Sequence, residues 1–378
     1  MSTIFQNATQ RTTVPFRYDI VGSFLRPQAL KDARSKFKSG SISADELKII
    51  EDREIIKLVE KQKQVGLKAV TDGEFRRSWW HLDFMWGLDG VEKVEIDQGY
   101  QFNGEITRGE TAQLSGKIKF ANHPFLDHFR FLKSVAGDAI ARQTIPAPAQ
   151  FLAELQRGDN LAKTMQFYSS TEELVADIAQ AYRDAIKAFY DLGCRNIQFD
   201  DCTWGMFCDK KYWETKMQSA VDVNETAALY LAVNNAAMEG HPTDLVITTH
   251  VCRGNYHSTW ASSGGYEPIA EVLFGQENVS GYYLEFDTDR AGDFSPLRFV
   301  NDGKQVVLGL VSSKFGELEE KESIIQRIRE ATKYLPIDQL CLSPQCGFSS
   351  TEEGNILTEE QQWNKLRFIK TIADEIWK

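Results

Sequence analysis

The sequence has little of what marks secreted, membrane-spanning or disulfide-rich proteins. Its 378 residues include six scattered cysteines, which indicates free thiols in a reducing compartment and not a disulfide framework. No apolar run approaches the roughly 20 residues that span a bilayer. The N-terminus lacks the basic segment and apolar core of a signal peptide. These deficits predict a cytoplasmic protein with no membrane partner.

Positive charge is also in short supply. The 43 lysines and arginines are outnumbered by 54 aspartates and glutamates, which leaves a net charge of −11. Because binding to a phosphate backbone requires a basic face, this balance argues against a nucleic-acid partner. The phosphate loops Gly-x-Gly-x-x-Gly and Gly-x-x-x-x-Gly-Lys-Ser/Thr are both absent. The 42% of hydrophobic residues suits a globular protein.

Helix-like and strand-like segments alternate along most of the chain. Ser43 and Glu46 have the spacing of a capping box at the start of a long helix, and residues 67–72 follow as a short apolar strand. The same order recurs further along, in residues 170–200, 225–252 and 320–346. This alternation predicts a parallel α/β fold.

Polar side chains of the kinds used in active sites follow the predicted strands, at the point where each strand ends. They are Ser23, Asp72, Glu74, Asp200, Asp201, His250, Cys252, Glu285 and Cys346. A (β/α)8 barrel gathers such residues at one end, although a doubly wound open sheet would also place its site beyond the strand ends. Because the phosphate loops are absent, we predict an α/β fold of the (β/α)8 TIM-barrel type.

One segment interrupts the alternation. Residues from about 80 to 123 are rich in glycine, charge and aromatic side chains, and apolar and polar residues alternate in 91–96 and 116–120. We predict that this segment is a β-hairpin inserted in an early βα loop. No repeat or flexible linker is visible, so we predict a single catalytic domain, 1–378, that begins with an N-terminal arm, 1–18.

Three of the strand ends carry a complete set of zinc-ligand types. His250 and Cys252 stand two apart, so their side chains lie on one face of a strand, and Glu285 and Cys346 end two later runs. Imidazole, thiolate and carboxylate groups bind Zn²⁺. On spacing alone a structural role stays open, since free cysteines are usually buried as small hydrophobic side chains. We assign no role to Cys194, Cys202, Cys208 and Cys341.

Six short motifs stand across most of residues 18–350. They are 20–24 (Ile-Val-Gly-Ser-Phe), 72–74 (Asp-Gly-Glu), 197–200 (Ile-Gln-Phe-Asp), 249–252 (Thr-His-Val-Cys), 284–285 (Leu-Glu) and 343–348 (Ser-Pro-Gln-Cys-Gly-Phe). In sequence and order they resemble motifs of the cobalamin-independent methionine synthases, in which the last three are zinc-binding segments. The full-length enzymes of this family contain two related barrels, whereas this chain is about one barrel long. It resembles the C-terminal, catalytic barrel and therefore a short single-barrel homologue.

The resemblance implies the parts of a zinc-dependent methyltransferase that acts on homocysteine. The ligands of a Zn²⁺ cofactor would be His250, Cys252, Glu285 and Cys346. Glu74 and Asp200 would bind the amino group of the substrate and Ser23 its carboxylate, pairings that suit the charges. Zinc lowers the pKa of a bound thiol, and in this family the thiolate takes a methyl group from 5-methyltetrahydrofolate to give methionine.

The half of the site that would bind the methyl donor departs from the family. The histidine proton donor is missing near Val311, in residues 308–313 (Leu-Gly-Leu-Val-Ser-Ser), so we assign no catalytic residue beyond the metal site. No tryptophan stands in residues 146–152 as a platform for the pterin, and Phe151 is its candidate replacement. Other candidates for an aromatic pocket wall are Trp79, Trp80, His81, Phe84, Trp86 and Trp204. The expected donor is 5-methyltetrahydrofolate, a related methyl compound, or a methyl-carrying partner protein.

Two other functions stay open from the sequence. One is a different zinc-thiol alkyl transfer, such as the attack of a thiol on an epoxide, and the other is a non-catalytic barrel that binds zinc or a thiol. Glu74 and Asp200 favour an amino-acid thiol over a sulfonate thiol, because a sulfonate requires basic partners. The expected partners are therefore two small molecules, the thiol and the methyl donor, with a donor protein as the alternative.

Overall fold

The computed structural model describes residue 5, residues 8–218 and residues 222–378; residues 1–4, 6 and 7 of the predicted N-terminal arm lie outside this description. The strands are β1 Ala69–Val70, β2 Asp89–Glu95, β3 Glu110–Lys119, β4 Ile140–Pro146, β5 Asn196–Asp201, β6 Val246–Val251, β7 Gly281–Glu285, β8 Gln305–Val311 and β9 Leu340–Pro344. The helices are α1 Gln28–Lys38, α2 Ala44–Gln64, α3 Leu82–Met85, α4 Phe125–Val135, α5 Pro148–Leu155, α6 Asn160–Thr164, α7 Thr171–Asp191, α8 Thr203–Phe207, α9 Lys210–Gln218, α10 Val223–Met238, α11 Ala270–Gln276, α12 Lys321–Ala331 and α13 Glu359–Ile376. Short 3-10 helices cover Glu267–Ile269, Asp289–Ala291, Ser295–Phe299 and Ile337–Gln339.

A curled sheet of parallel strands forms the centre of the described structure. In these ranges seven strands pair in the order β1-β4-β5-β6-β7-β8-β9, and every pair is parallel. The segment around Tyr18 takes the eighth position, since it pairs in parallel with Leu342 of β9. Further along, the Phe24 amide donates to the Gly73 carbonyl just beyond β1 (3.1 Å). This segment thus lies between the first and last strands of the sheet, and the predicted (β/α)8 barrel is confirmed.

Helices cover the sheet because each carries an apolar face. α2 begins at the predicted capping box, in which Ser43 Oγ accepts from the Glu46 amide and the Glu46 carboxylate accepts from the Ser43 amide. In α7 the buried side chains recur with a helical period, at Leu174, Ile178, Tyr182, Ala185, Ile186 and Phe189. Burial of each large apolar side chain stabilises the fold by about 1.5–3 kcal/mol. None of the helices in the described ranges has the length and apolar character needed to cross a bilayer.

The predicted insertion forms an antiparallel hairpin between β1 and α4. Its two strands, β2 and β3, pair with each other, and β3 packs on α5, α6 and α7. The connection between them, residues 96–109, reaches the loop that follows β6. There the Asn103 amide donates to the Trp260 carbonyl (2.8 Å), and the ring centroids of Phe102 and Tyr256 are 5.5 Å apart. The hairpin therefore reaches the strand ends at which a (β/α)8 barrel carries its site.

Candidate metal centre and cavity

The four predicted metal ligands meet at the C-terminal ends of β6, β7 and β9. His250 lies in β6 and Cys252 follows its last residue, Glu285 is the last residue of β7, and Cys346 lies two residues past β9. One ligand atom from each residue lies within 4.8 Å of every other, and the two sulfur atoms are 3.7 Å apart. All four residues are buried. The fold thus assembles one compact cluster from three separate strand ends.

The His250 ring is oriented by the neighbouring strand. Its Nδ1 lies 3.1 Å from the Tyr283 carbonyl oxygen, so Nδ1 donates its hydrogen there, and in the neutral ring the lone pair is then on Nε2. Nε2 is buried and has no hydrogen-bond partner within the described part of the chain. A buried polar atom in this state is costly. Metal-binding histidines are commonly held in this way, with the second nitrogen donating to a backbone carbonyl.

The groups around Cys252 favour its thiolate form. Hydrogen bonds with the Cys202 and Cys346 thiols lower the pKa of Cys252 well below its ordinary value, and the Gly254 amide donates to the same sulfur (3.2 Å). The pKa of Cys346 is raised, first because its thiol hydrogen-bonds to Cys252 and then because it is buried. A bound cation would favour ionisation of both sulfurs.

Glu285 completes the cluster and is held on both of its oxygens. The Arg253 amide donates to Oε1 (2.9 Å), and the Arg290 guanidinium donates to Oε2 (3.3 Å). Burial raises the pKa of Glu285 to about 6, and the negative charge of Cys252 acts in the same direction. The cluster thus offers an imidazole nitrogen, two sulfurs and a carboxylate oxygen. This donor set fits a metal ion, and the unpaired Nε2 of His250 gives such an ion a ready ligand.

The cluster opens into a cavity of about 630 Å³ at the strand ends. The predicted site residues that line this cavity are Ser23, Glu74, Asp200, His250, Cys252 and Cys346. Residues of the hairpin connection also line it, including Tyr100 and Phe102. The structure therefore places all three predicted substrate-binding residues in one space with the metal cluster.

Glu74 and Asp200 form a pair of buried carboxyl groups in this cavity. Glu74 Oε1 accepts from the Thr144 hydroxyl (2.9 Å) and pairs with Arg77 (3.2 Å), whereas Oε2 has no hydrogen-bond partner among the residues that the structure describes. Burial, and then the negative charge of Glu74, raise the pKa of Asp200 to about 8. The Glu74 backbone has a φ of 62°, a left-handed conformation that is rare outside glycine and clusters at functional sites. A ligand ammonium group would satisfy the unpaired oxygen and offset both charges.

Ser23 lies against the loop that carries Cys346. Its hydroxyl accepts from the Ser349 amide (3.3 Å), and its carbonyl accepts from the Phe348 amide (3.0 Å). A Cβ atom on Gly347 would lie 1.9 Å from Ser23 Oγ, so the two segments can meet only because residue 347 is glycine. Ser23 therefore lies against the loop of one sulfur ligand and lines the same cavity as the metal cluster.

Aromatic side chains line the rest of the cavity, and they differ in part from the predicted set. Trp79, Trp80 and His81 line it, whereas Phe84, Trp86 and Trp204 pack in or against the hydrophobic core and are not part of the cavity lining. Phe151 is fully buried and is not part of the lining either, so it does not replace the missing tryptophan. The further aromatic rings of the cavity are Tyr100, Phe102, Phe207, Tyr212 and Tyr230.

Two residues of the cavity make polar contacts that the sequence did not predict. His81 Nε2 lies 2.9 Å from the Tyr100 hydroxyl, which donates to Glu154 (2.9 Å). Burial lowers the pKa of His81 to about 4, so the ring is neutral at pH 7. Cys202 was expected to be a buried small hydrophobic residue, but it lines the cavity and its thiol hydrogen-bonds to Cys252. The sequence carries no signal for either contact, because each joins segments that only the tertiary fold brings together.

Comparisons with known proteins connect this geometry to one family. A family model described as "Cobalamin-independent synthase, Catalytic domain" matches residues 163–363. The uncharacterized protein YxjH of Bacillus subtilis (strain 168) is 48% identical over 374 residues, which make up 99% of this chain and 98% of that protein.

The likeness extends to a more distant relative and to a solved structure. The methionine synthase of Saccharolobus solfataricus is 23% identical over 342 residues, which cover 87% of this chain and 86% of that protein. A Listeria monocytogenes protein, provisionally assigned as a vitamin-B12-independent methionine synthase, has a crystal structure that matches with a TM-score of 0.77 and 40% identity. That match covers 97% of this chain and 100% of the Listeria chain.

Proposed function

Since this chain belongs to the family of the cobalamin-independent synthase catalytic domain, we propose that it is a zinc-dependent methyltransferase that converts homocysteine to methionine. The observation that carries the proposal is the shared cavity, which joins a metal-ready cluster to the carboxyl pair Glu74 and Asp200. One small amino acid with a thiol could place its sulfur at the cluster and its ammonium group at the pair. The Saccharolobus relative, a methionine synthase by name, supports the same reaction.

The residues of the chain would hold and orient the thiol substrate. Zn²⁺ in the cluster of His250, Cys252, Glu285 and Cys346 would supply a Lewis acid that lowers a thiol pKa, so that a thiolate nucleophile exists at neutral pH. Glu74 and Asp200 bind the ammonium group of homocysteine. Ser23 and the backbone beside it bind the carboxylate. Because these groups are buried, their attraction for the substrate charges is stronger than it would be in water.

For the methyl donor we propose 5-methyltetrahydrofolate or a related compound. The aromatic wall of the cavity offers a flat surface on which a ring system can stack, and the partly exposed Trp80 is part of it. Because this wall is built from different residues than the resemblance implied, the donor has to be identified by experiment. A methyl-carrying partner protein is the alternative source.

We also propose that the protein works in the cytoplasm as one catalytic domain. All six cysteines lie in the described ranges and are free thiols, as expected in a reducing compartment. One hydrophobic core cluster includes residues from Ala8 to Trp377 and also includes Leu114 of the hairpin. The barrel and the insertion are therefore packed as one unit.

The decisive experiment is methylation of homocysteine by the zinc-loaded protein, with methionine measured as the product. The donors are 5-methyltetrahydrofolate in monoglutamyl and polyglutamyl forms, methylcobalamin and S-methylmethionine. We expect zinc-dependent methionine from at least one donor and none from the Cys346→Ala protein. Tight homocysteine binding without turnover of any donor would favour the non-catalytic barrel, and turnover of an epoxide would favour the other alkyl transfer.

A further inference from the structure

Lys314 stands next to the metal cluster without being one of its ligands. It lies three residues past the end of β8, directly after the segment in which the expected histidine is missing, and it is 1% exposed. We propose that Lys314 is a positioning residue for the metal centre, which fixes the two loops that carry the cysteine ligands and places a positive charge beside them. This role rests on the proposed function, because it requires that the cluster bind a metal.

Hydrogen bonds connect Lys314 to both cysteine loops. Its Nζ donates to the Gly254 carbonyl (3.2 Å) and to Asn255 Oδ1 (3.0 Å), in the loop that follows β6. The amide nitrogen of Asn255 donates to the carbonyl of Gly347 (2.8 Å), the residue directly after Cys346. One side chain, Asn255, thus links the lysine to the loops of both sulfur ligands.

Further buried polar groups hold this link in place. Asn355 Nδ2 donates both to Asn255 Oδ1 (2.9 Å) and to the Ser313 carbonyl (2.8 Å). The Ser313 amide donates to Gln345 Oε1 (2.6 Å), next to the second cysteine ligand. Asn255, Ser313, Gln345 and Asn355 are all buried. Removal of one member would leave the others unsatisfied, so the network behaves as a unit that fixes the separation of the two sulfurs.

The charge of Lys314 suits an anionic centre. Two thiolates and one carboxylate around a divalent cation leave a net charge of −1, and a substrate thiolate would add another negative charge. Buried net charge is costly unless an opposite charge lies nearby. A fixed cation at this point therefore favours the metal-bound, ionised form of the cluster.

The test compares zinc affinity in three variants of the full chain, by competition with a chromophoric chelator. Lys314→Met keeps the length of the side chain and removes its charge, and we expect zinc to bind about 10–100-fold more weakly. Asn255→Ala keeps the charge and removes the link, and zinc affinity should fall in the same direction. Lys304→Met is the control, because Lys304 is half-buried, precedes β8 at the opposite end of that strand from Lys314, and donates to the Tyr282 hydroxyl (3.2 Å). Its zinc affinity should stay within about twofold of the wild type.

A second measurement separates a role at the metal centre from a general structural role. It compares the affinities of homocysteine and methionine for the zinc-saturated protein. Both ligands carry an ammonium and a carboxylate group, but only homocysteine brings a thiolate. Lys314→Met should weaken the binding of homocysteine by about tenfold and the binding of methionine by much less. If Lys314→Met and Asn255→Ala both bind zinc as tightly as the wild type, the proposed role of Lys314 is wrong and the proposed metal centre is unaffected. A wild-type protein that binds no zinc would overturn the proposed metal centre together with that role.

Discussion

Three of the four ligands of the cluster, His250, Cys252 and Glu285, are held by groups outside the cluster. The Tyr283 carbonyl fixes the ring of His250, and the Arg253 amide fixes one oxygen of Glu285. Secondary contacts of this kind set ligand direction and commonly change metal affinity by 10–100-fold. The residues in contact with the metal would therefore account for only part of its affinity, and the chemistry at this scale depends on single atoms such as His250 Nε2.

Loss of one sulfur ligand should remove the metal. We expect the Cys346→Ala protein to retain almost no zinc after dialysis and to lose methyl transfer by at least about 100-fold. Cys341→Ala is the matched control, since Cys341 is buried in β9 with its sulfur near the Pro15 carbonyl (3.8 Å). That variant should keep its zinc and lose about 1 kcal/mol of stability through a small cavity. Equal zinc content in the two proteins, measured by atomic absorption, would contradict this assignment.

At the scale of elements, a buried amide ties three helices to the strand that carries Asp200. The side chain of Asn234 in α10 donates to Asp201 at the end of β5 (3.1 Å) and to Glu277 just after α11 (2.9 Å). Its oxygen accepts from the Ala149 amide in α5 (2.9 Å). Because both acidic groups are buried, ionisation of both would place two negative charges in the junction, which is costly.

Glu277 should make the stability of this junction depend on pH. Burial, aided by the charge of Asp201, raises the pKa of Glu277 to about 8, while the unfolded chain has a value near about 4.3. Between these values the folded state binds more protons than the unfolded state, so the free energy of unfolding falls as pH rises through this range. Glu277→Gln mimics the protonated acid. The free energy of unfolding of this variant should match that of the wild type near pH 4.5 and exceed it by a few kcal/mol near pH 9.

Urea unfolding at several pH values would check the prediction for Glu277. The difference between variant and wild type should be small at low pH and should grow toward pH 9. Parallel stability curves over the whole range would show that the pKa of Glu277 is the same in the folded and the unfolded protein, which would contradict the prediction. The control is Glu271→Gln, which makes the same change at an exposed glutamate of α11.

Local sequence patterns predicted most helices and strands, whereas contacts between distant segments could not be predicted from the sequence. The capping box of α2 and the ligand-bearing ends of β6 and β7 follow from residue type and order along the chain. The apolar run 67–72 predicted a longer strand than the structure has. Only two of its residues, those of β1, pair with β4. Lys314 was missed for a different reason, as were the remaining aromatic residues of the cavity wall: Tyr100, Phe102, Phe207, Tyr212 and Tyr230. Their positions depend on how loops and the hairpin meet, and no periodicity or spacing encodes that.

At the scale of the whole molecule, the cluster connects strand ends that are far apart in sequence. A metal bound there would act on the folded state alone, because the unfolded chain does not hold the four ligands together. A free ligand at about 1,000 times its Kd stabilises the folded state by about 4 kcal/mol. We therefore expect zinc removal by a chelator to lower the melting temperature by several degrees.

Calorimetry with and without chelator would test this prediction for zinc removal. The Cys346→Ala protein serves as the control, because its melting temperature should respond little to the chelator. If the wild type melted at one temperature in both conditions, the cluster would not bind zinc tightly enough to contribute to stability.

The contact between the hairpin and the loop after β6 has a kinetic consequence. Tyr100, Phe102 and Thr107 of the hairpin connection line the same cavity as the cysteine ligands, and Asn103 joins the connection to Trp260. A donor stacked on this wall would stand across the path to the strand ends. Homocysteine would then have to enter before the donor, and methionine would leave last. In initial-rate experiments this compulsory order would make methionine a competitive inhibitor against homocysteine and not against the donor.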